Sequence, residues 1–283
     1  MRGLISTTEA AELIGVGAAV VLDVRWRLTG PPGRADYERA HLPGAVFLDV
    51  DTDLAGPPST ERGRHPLPEP DRLVAVFRTA GIGGSTPVIA YDDADGSVAA
   101  RVWWLLRWLG HEQVAVLDGG FAAWQAEERP LTPDIPHPAA GDFTGEPGSM
   151  PVLDADAAAG IPGDGVLLDA RAPVRYRGET EPVDARPGHI PGARNSPASA
   201  HLGPDGRWRP ASELAEHFAA LGASTGKVGV YCGSGVTACS VVLAMEHAGI
   251  EASPALYPGS YSQWSADERR EVAQGHEAGE VAP

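Results

Sequence analysis

Val228-Gly-Val-Tyr-Cys-Gly-Ser-Gly-Val-Thr-Ala-Cys239 decides the fold, because the first half of the chain carries a faded copy, Val88-Ile-Ala-Tyr-Asp-Asp-Ala-Asp-Gly-Ser-Val-Ala99. Tyr231 matches Tyr91, and Asp92 stands where Cys232 stands. Further on, Tyr257-Pro-Gly-Ser-Tyr-Ser-Gln-Trp264 answers Leu117-Asp-Gly-Gly-Phe-Ala-Ala-Trp124. What two copies share reports architecture, and what only one possesses reports function. By that test the thiol at 232 is the chemistry.

Working outward, each half repeats one order of elements. Ser6-Thr-Thr-Glu9 is a capping-box pattern that starts a helix. The apolar run Ala18-Ala-Val-Val-Leu-Asp-Val24 is answered by Gly165-Val-Leu-Leu-Asp-Ala170, each suited to a strand buried on both faces. His41-Leu-Pro-Gly-Ala45 and His189-Ile-Pro-Gly-Ala193 are matching turns. Strands are predicted at 87–91 and 228–231, and again at 114–117 and 255–257. A helix is predicted over 98–109, where Val102, Leu105, Leu106 and Leu109 recur at helical spacing. The same spacing assigns Trp103, Trp104 and Trp108 to packing. The expectation is an α/β protein with two domains, each a mainly parallel sheet flanked by helices. They run over 1–130 and 151–283, joined by a proline-rich connector at 131–150. A loop-rich, proline-rich insertion at 53–70 carries an Arg-Gly-Arg at 62–64.

A chain of 283 residues suits two domains with a core each. The formal charge of −16 excludes a nucleic-acid partner, which needs clustered Lys and Arg. A small anion can still bind where a few arginines converge. No apolar run reaches the length of a membrane span. Cys232 and Cys239 are awkwardly placed for a disulfide, and no metal-ligand spacing is present. Free thiols and an N-terminal stretch without a secretory pattern lead to the expectation of a cytoplasmic protein.

Cys232 falls at the carboxyl end of a strand, before a glycine-rich turn and a helix, where open α/β sheets bind ligands. Backbone N–H groups of such a turn point inward as an anion-holding nest, helped by the helix N-terminus. The same field favours thiolate over thiol. Gly233 and Gly235 permit the backbone angles, and Ser234 and Thr237 add hydroxyls. The plain alternative is that Cys232 is a small buried hydrophobe. The acid in the other copy and the surrounding glycines argue against it. Cys239, among Ala238, Val241 and Val242, is assigned to packing.

These residues give the chain a resemblance to the two-domain sulfurtransferases, the rhodaneses and 3-mercaptopyruvate sulfurtransferases, along nearly its whole length. The matching stretches are Leu22-Asp-Val-Arg-Trp26, His41-Leu-Pro-Gly-Ala45, Arg101-Val-Trp-Trp104 and Leu117-Asp-Gly-Gly120. In the second half they are Leu168-Asp-Ala-Arg171, Arg175-Tyr-Arg-Gly178, Gly188-His-Ile-Pro-Gly-Ala193 and Cys232-Gly-Ser-Gly-Val-Thr237. The resemblance implies two tandem rhodanese-like domains, the first inactive and the second catalytic. It implies that the Cys232 thiolate takes the outer sulfur of a small anionic donor as a persulfide, then passes it to a thiol or cyanide. A thioredoxin-like protein or a small thiol is the expected acceptor, and no metal or organic cofactor is required.

Cysteine phosphatases share such a loop, but theirs is longer and ends in an arginine; Thr237 is followed by none. The resemblance makes Cys232, Ser234 and Thr237 the catalytic candidates, with Gly233, Gly235 and Val236 completing the sulfur-holding loop. Gly233 and Ser234 match the mercaptopyruvate enzymes, whereas thiosulfate enzymes typically have basic residues there. It pairs Ser234 with a histidine of the His-x-Pro-Gly-Ala motif, here His41, although His189 duplicates that position and makes it partly structural. Arg175, Arg186 and Arg171 are the candidates for holding the donor's anionic end. Where mercaptopyruvate enzymes carry a further arginine after a Glu-Pro pair, this chain has Val183. Arg171 is duplicated by Arg25, so a structural ion pair competes with a substrate role. The donor stays open between thiosulfate and 3-mercaptopyruvate. A persulfide relay serving a protein partner is the alternative to small-molecule turnover.

Overall fold

A computed structural model describes residues 2–276. The first half builds β1 (Arg2–Ile5), α1 (Thr7–Gly15), β2 (Val20–Asp23), α2 (Gly33–Arg39) and β3 (Ala45–Phe47). It continues with α3 (Pro70–Thr79), β4 (Val88–Tyr91), α4 (Ser97–Trp108), β5 (Val114–Leu117) and α5 (Gly120–Ala126). The second half follows with α6 (Ala155–Gly160), β6 (Gly165–Asp169), α7 (Pro173–Tyr176), β7 (Arg194–Asn195) and a 3-10 turn at Ala198–His201. Then come α8 (Ala211–Ala220), β8 (Lys227–Tyr231), α9 (Ala238–His247), β9 (Ala255–Leu256) and α10 (Ser260–Ala266).

The first sheet has the order β1-β5-β4-β2-β3 and the second β7-β6-β8-β9, with parallel pairing throughout the named strands. The expected α/β architecture is therefore present twice. Every residue of β4 and β5 is buried, as expected of continuous apolar strands covered on both faces. The capping box forms: Ser6 Oγ accepts from Glu9 N–H at 3.2 Å while Glu9 accepts from Ser6 N–H at 3.2 Å. Trp103 and Trp104 are fully buried, and Trp104 stacks on Trp108 at 6.0 Å between ring centroids. Among the described residues no helix is long and apolar enough to cross a membrane.

The chain divides into two compact units, but not by a single cut. Pro57–Pro66, from the insertion, packs with the second unit, and Gly203–Trp208 packs with the first. Both segments lie at the same point of the repeat, after β3 or β7 and before α3 or α8. The stretch 131–150 stays with the first unit rather than standing free as a connector. Phe143 is buried there against the edges of Phe77 and His111, and Gly141 N–H donates to the Arg78 carbonyl at 2.8 Å. A Cβ at Gly141 would lie 1.9 Å from the Ile82 oxygen, so only glycine lets the two backbones approach.

In the second unit His201 is buried against Phe218 and His217, with Ser196 Oγ 2.9 Å from His217 Nε2. Burial, with repulsion from His217 and Arg209, drives the His201 imidazole down to about 3. Free histidine titrates near 6.5, so between the two values the unfolded chain binds the extra proton. Stability of this unit is expected to be full above about pH 6.5 and to fall below it, by up to about 1.4 kcal/mol per pH unit from this group. Melting temperature against pH should be flatter between pH 6.5 and 4 in His201→Gln than in the parent; an equal slope would remove His201 as the cause.

Candidate active site

Cys232 directly follows β8, and the turn 233–237 leads into α9. Gly235 takes a left-handed φ of 78°, and a Cβ there would sit 2.5 Å from the Pro258 oxygen. Glycine is therefore required twice over. The Gly235 N–H donates to Cys232 Sγ at 3.1 Å, so the turn aims an amide at the sulfur. Cys232 N–H donates to Ser260 Oγ at 3.2 Å, and Ser260 Oγ donates to the Tyr257 carbonyl at 2.8 Å. The carbonyls of Cys232 and Gly233 accept from Tyr261 and Ser262 N–H. Ser260 holds a φ of 51°, unusual for a serine; the matching residue is Gly120, at 55°. Its hydroxyl, which glycine lacks, caps the Cys232 amide. Val236 is buried, and Thr237 is half-buried at the head of α9 with its hydroxyl not used in capping. Cys239 Sγ donates to the Gly235 carbonyl at 3.3 Å and lies in the core.

The corresponding turn in the first unit has no thiol. Asp92 accepts from four amides, those of Ala94, Gly96, Val98 and Ala99, at 2.9–3.0 Å. Burial raises its carboxyl to about 6, although the Ala99, Ala94 and Gly96 amides pull it down. The first unit's cradle is filled by its own carboxylate.

Each turn is covered by the segment exchanged from the other half. In the first unit, Trp208 Nε1 lies 3.2 Å from where a Cβ on Gly96 would be. In the second, His65 Nδ1 lies 2.7 Å from Ser234 Oγ, and Arg64 N–H donates to Ser262 Oγ at 3.0 Å. Arg64 Nη2 and Arg175 Nη1 lie 3.2 and 3.6 Å from a Cβ built on Gly233. Sequence reasoning missed His65 and Arg64. The repeat gave no signal, because the segment has a counterpart at Gly203–Trp208; the Arg-Gly-Arg at 62–64 was the one local mark.

Several expected residues are elsewhere engaged. His41 is not the partner of Ser234: it is fully buried, with Nδ1 2.7 Å from the Tyr37 carbonyl and Nε2 3.1 Å from the Asp134 carbonyl. It stacks on Tyr37 at 4.0 Å, and His189 repeats the arrangement on Tyr176 at 3.8 Å. Arg186 is not open to a donor either, since its guanidinium donates to the carbonyls of Trp264, Ser265, Asp267 and Arg270 and ties down the chain after α10. Arg171 is buried, paired with Asp169 at 2.7 Å and Glu181 at 3.3 Å, and donates to the Gly188 carbonyl. Arg25 does the same in the first unit with Asp23 and the Ala40 carbonyl.

Arg175 alone of those arginines reaches the turn. Its Nη2 donates to Glu181 at 2.7 Å and Asp184 at 2.8 Å, and Arg64 Nη1 reaches the other Asp184 oxygen at 2.9 Å. Burial works against the Glu181 charge, but Arg175 and the amides of Asp184 and Val183 hold its carboxyl below the ordinary range.

Comparison with known proteins identifies relatives of the chain. The rhodanese-like domain matches residues 6–127 and again 154–267. A Pseudomonas aeruginosa protein provisionally named 3-mercaptopyruvate sulfurtransferase is 43% identical over 279 residues, covering 96% of this chain and 98% of that protein. A Mycobacterium tuberculosis protein provisionally named thiosulfate sulfurtransferase is 42% identical over 284 residues, covering 96% and 97%. The solved 3-mercaptopyruvate sulfurtransferase from Leishmania major superposes with a TM-score of 0.83 at 30% identity, over 95% of this chain and 75% of that one.

Removing Arg171 would strand the buried Asp169 carboxylate. Arg171→Ala is expected to destabilise the second unit by about 3–5 kcal/mol, read by denaturant unfolding. Unchanged stability with a raised donor KM would return Arg171 to the substrate site.

Proposed function

Because the chain belongs to the rhodanese family and is a sulfurtransferase, we propose that Cys232 carries the sulfur as a persulfide and that 3-mercaptopyruvate is its donor. The observation that carries the donor assignment is the 2.7 Å contact between His65 Nδ1 and Ser234 Oγ, two residues from Cys232. Attack of the Cys232 thiolate on the donor's sulfur forms an S–S bond and breaks the C–S bond, whose electron pair passes to carbon as the enolate of pyruvate. That carbanion needs a proton, while the donor thiol has one to lose. Ser234 and His65 form a relay that returns the proton from sulfur to carbon. Thiosulfate needs no such relay, because its S–S bond breaks with the electron pair leaving on sulfite.

The persulfide's outer sulfur is negative, and the amides of the Gly233, Gly235 and Val236 turn, with the Thr237 hydroxyl, are its holders. Arg175 binds the donor carboxylate. An acceptor thiolate then attacks the outer sulfur, leaving as a new persulfide and restoring the Cys232 thiolate. A small thiol or a thioredoxin-like protein is the acceptor, and the two free thiols fit a reducing cytoplasm.

Cys232→Ser should abolish transfer, and the parent incubated with donor alone should gain one sulfur atom on the peptide bearing Cys232. Ser234→Ala should lower kcat/KM for 3-mercaptopyruvate by about a hundredfold or more, and for thiosulfate far less. Equal losses for both donors would remove the proton relay and with it the donor assignment.

A further inference from the structure

We propose that Arg64, carried on the Pro57–Pro66 segment, is a second donor-binding group. It forms with Arg175 a two-pronged clamp on the donor's carboxylate, and Asp184 tunes this clamp to favour a singly charged donor. The inference rests on the sulfurtransferase reading above and deepens it.

Both guanidiniums are anchored on one side only. Asp184, its side chain 1% exposed, gives Oδ1 to Arg64 Nη1 at 2.9 Å and Oδ2 to Arg175 Nη2 at 2.8 Å. Glu181 takes the Nε and Nη2 of Arg175 at 3.2 and 2.7 Å. The other edges, Arg64 Nη2 and Arg175 Nη1, have no hydrogen-bond partner among the described residues and converge on Gly233. The buried Arg64 Nε is likewise unpartnered. A Cβ at position 233 would press on Arg64 Nη2 at 3.2 Å and touch Arg175 Nη1 at 3.6 Å, so glycine leaves the most room between the guanidiniums and the sulfur-bearing turn. Two planar forks with free edges on one side suit a carboxylate, and each retains partial contact with solvent, 24% for Arg64 and 18% for Arg175.

The covering segments sharpen the assignment. In the first unit, whose turn is filled by Asp92, the exchanged segment lays the Trp208 indole beside Gly96, whereas in the second it brings the Arg64 guanidinium beside Gly233. The charge sum sets the preference. Arg64, Arg175 and Arg171 face Asp184, Glu181 and Asp169, three positive charges against three negative. A site near neutrality accepts one added negative charge more readily than two in a half-buried mouth. 3-Mercaptopyruvate is a monoanion at neutral pH and thiosulfate a dianion.

Steady-state kinetics of the full chain with both donors test the clamp. Arg64→Ala should raise the KM for 3-mercaptopyruvate by about tenfold or more, with kcat changed less, and Arg64→Lys should recover part of the loss. Asp184→Asn, which adds one net positive charge while keeping the shape, should shift the kcat/KM ratio several-fold toward thiosulfate. A purely structural Arg64–Asp184 pair would alter melting temperature and move both donors together. Should Arg64→Ala fold poorly, Arg64→Gln keeps the volume and is read in the same way. An unchanged donor KM, or an unmoved donor ratio in Asp184→Asn, overturns the clamp. Sulfur uptake on Cys232 of the parent, followed by mass, separates the two readings: intact uptake without these effects sinks the clamp alone, and absent uptake sinks both.

Discussion

A turn of backbone amides at the carboxyl edge of a sheet must have something negative to hold. Buried N–H groups without partners cost about 1–3 kcal/mol each, and the turns after β4 and β8 concentrate several of them at one point. The first unit answers with Asp92, whose two oxygens take four amides. The second places a sulfur there, met by the Gly235 N–H. One cradle is thus closed by a permanent carboxylate, and the other by an atom that can accept and release a second sulfur. The two halves differ at that atom position, and each choice answers the same electrostatic demand.

The surroundings of that atom are shaped by charge balance. The protein is strongly acidic, yet Arg64 and Arg175 gather at the turn because buried carboxylates hold them: Asp184 secures both, and Glu181 secures Arg175 together with the inner Arg171–Asp169 pair. Buried ion pairs of this kind contribute little net stability but fix geometry, since losing one partner leaves the other charge uncompensated. The same bidentate pairing, with a carbonyl as third partner, recurs at Asp23 and Arg25. It belongs to the fold, whereas the Arg64–Asp184–Arg175 bridge belongs to the second unit alone among the described residues.

Much of this was legible in the residues. The strands at 88–91 and 228–231, the Ser6 capping box and the turns before each α4-type helix are local patterns, recorded in neighbouring side chains. Cys232 stood out because its copy was an acid. The histidine was misread for a physical reason: His41 and His189 sit in identical turns, and both are consumed by stacking on a tyrosine and bonding to its carbonyl. Arg186 looked available beside Val183 but is spent on four carbonyls in the last turn of α10 and just beyond it.

The amino-acid sequence by itself determined the two α/β units, the parallel strands, the glycine turn and the thiol it presents. Periodicity, turn chemistry and backbone freedom act over a few neighbouring residues and leave their mark there. Only the tertiary structure decided which distant groups meet that thiol. His65 and Ser234 are 169 positions apart, and Arg64 and Asp184 are 120 apart. Their meeting depends on the Pro57–Pro66 segment packing with the second unit, an outcome of long-range burial and charge pairing that no local pattern encodes.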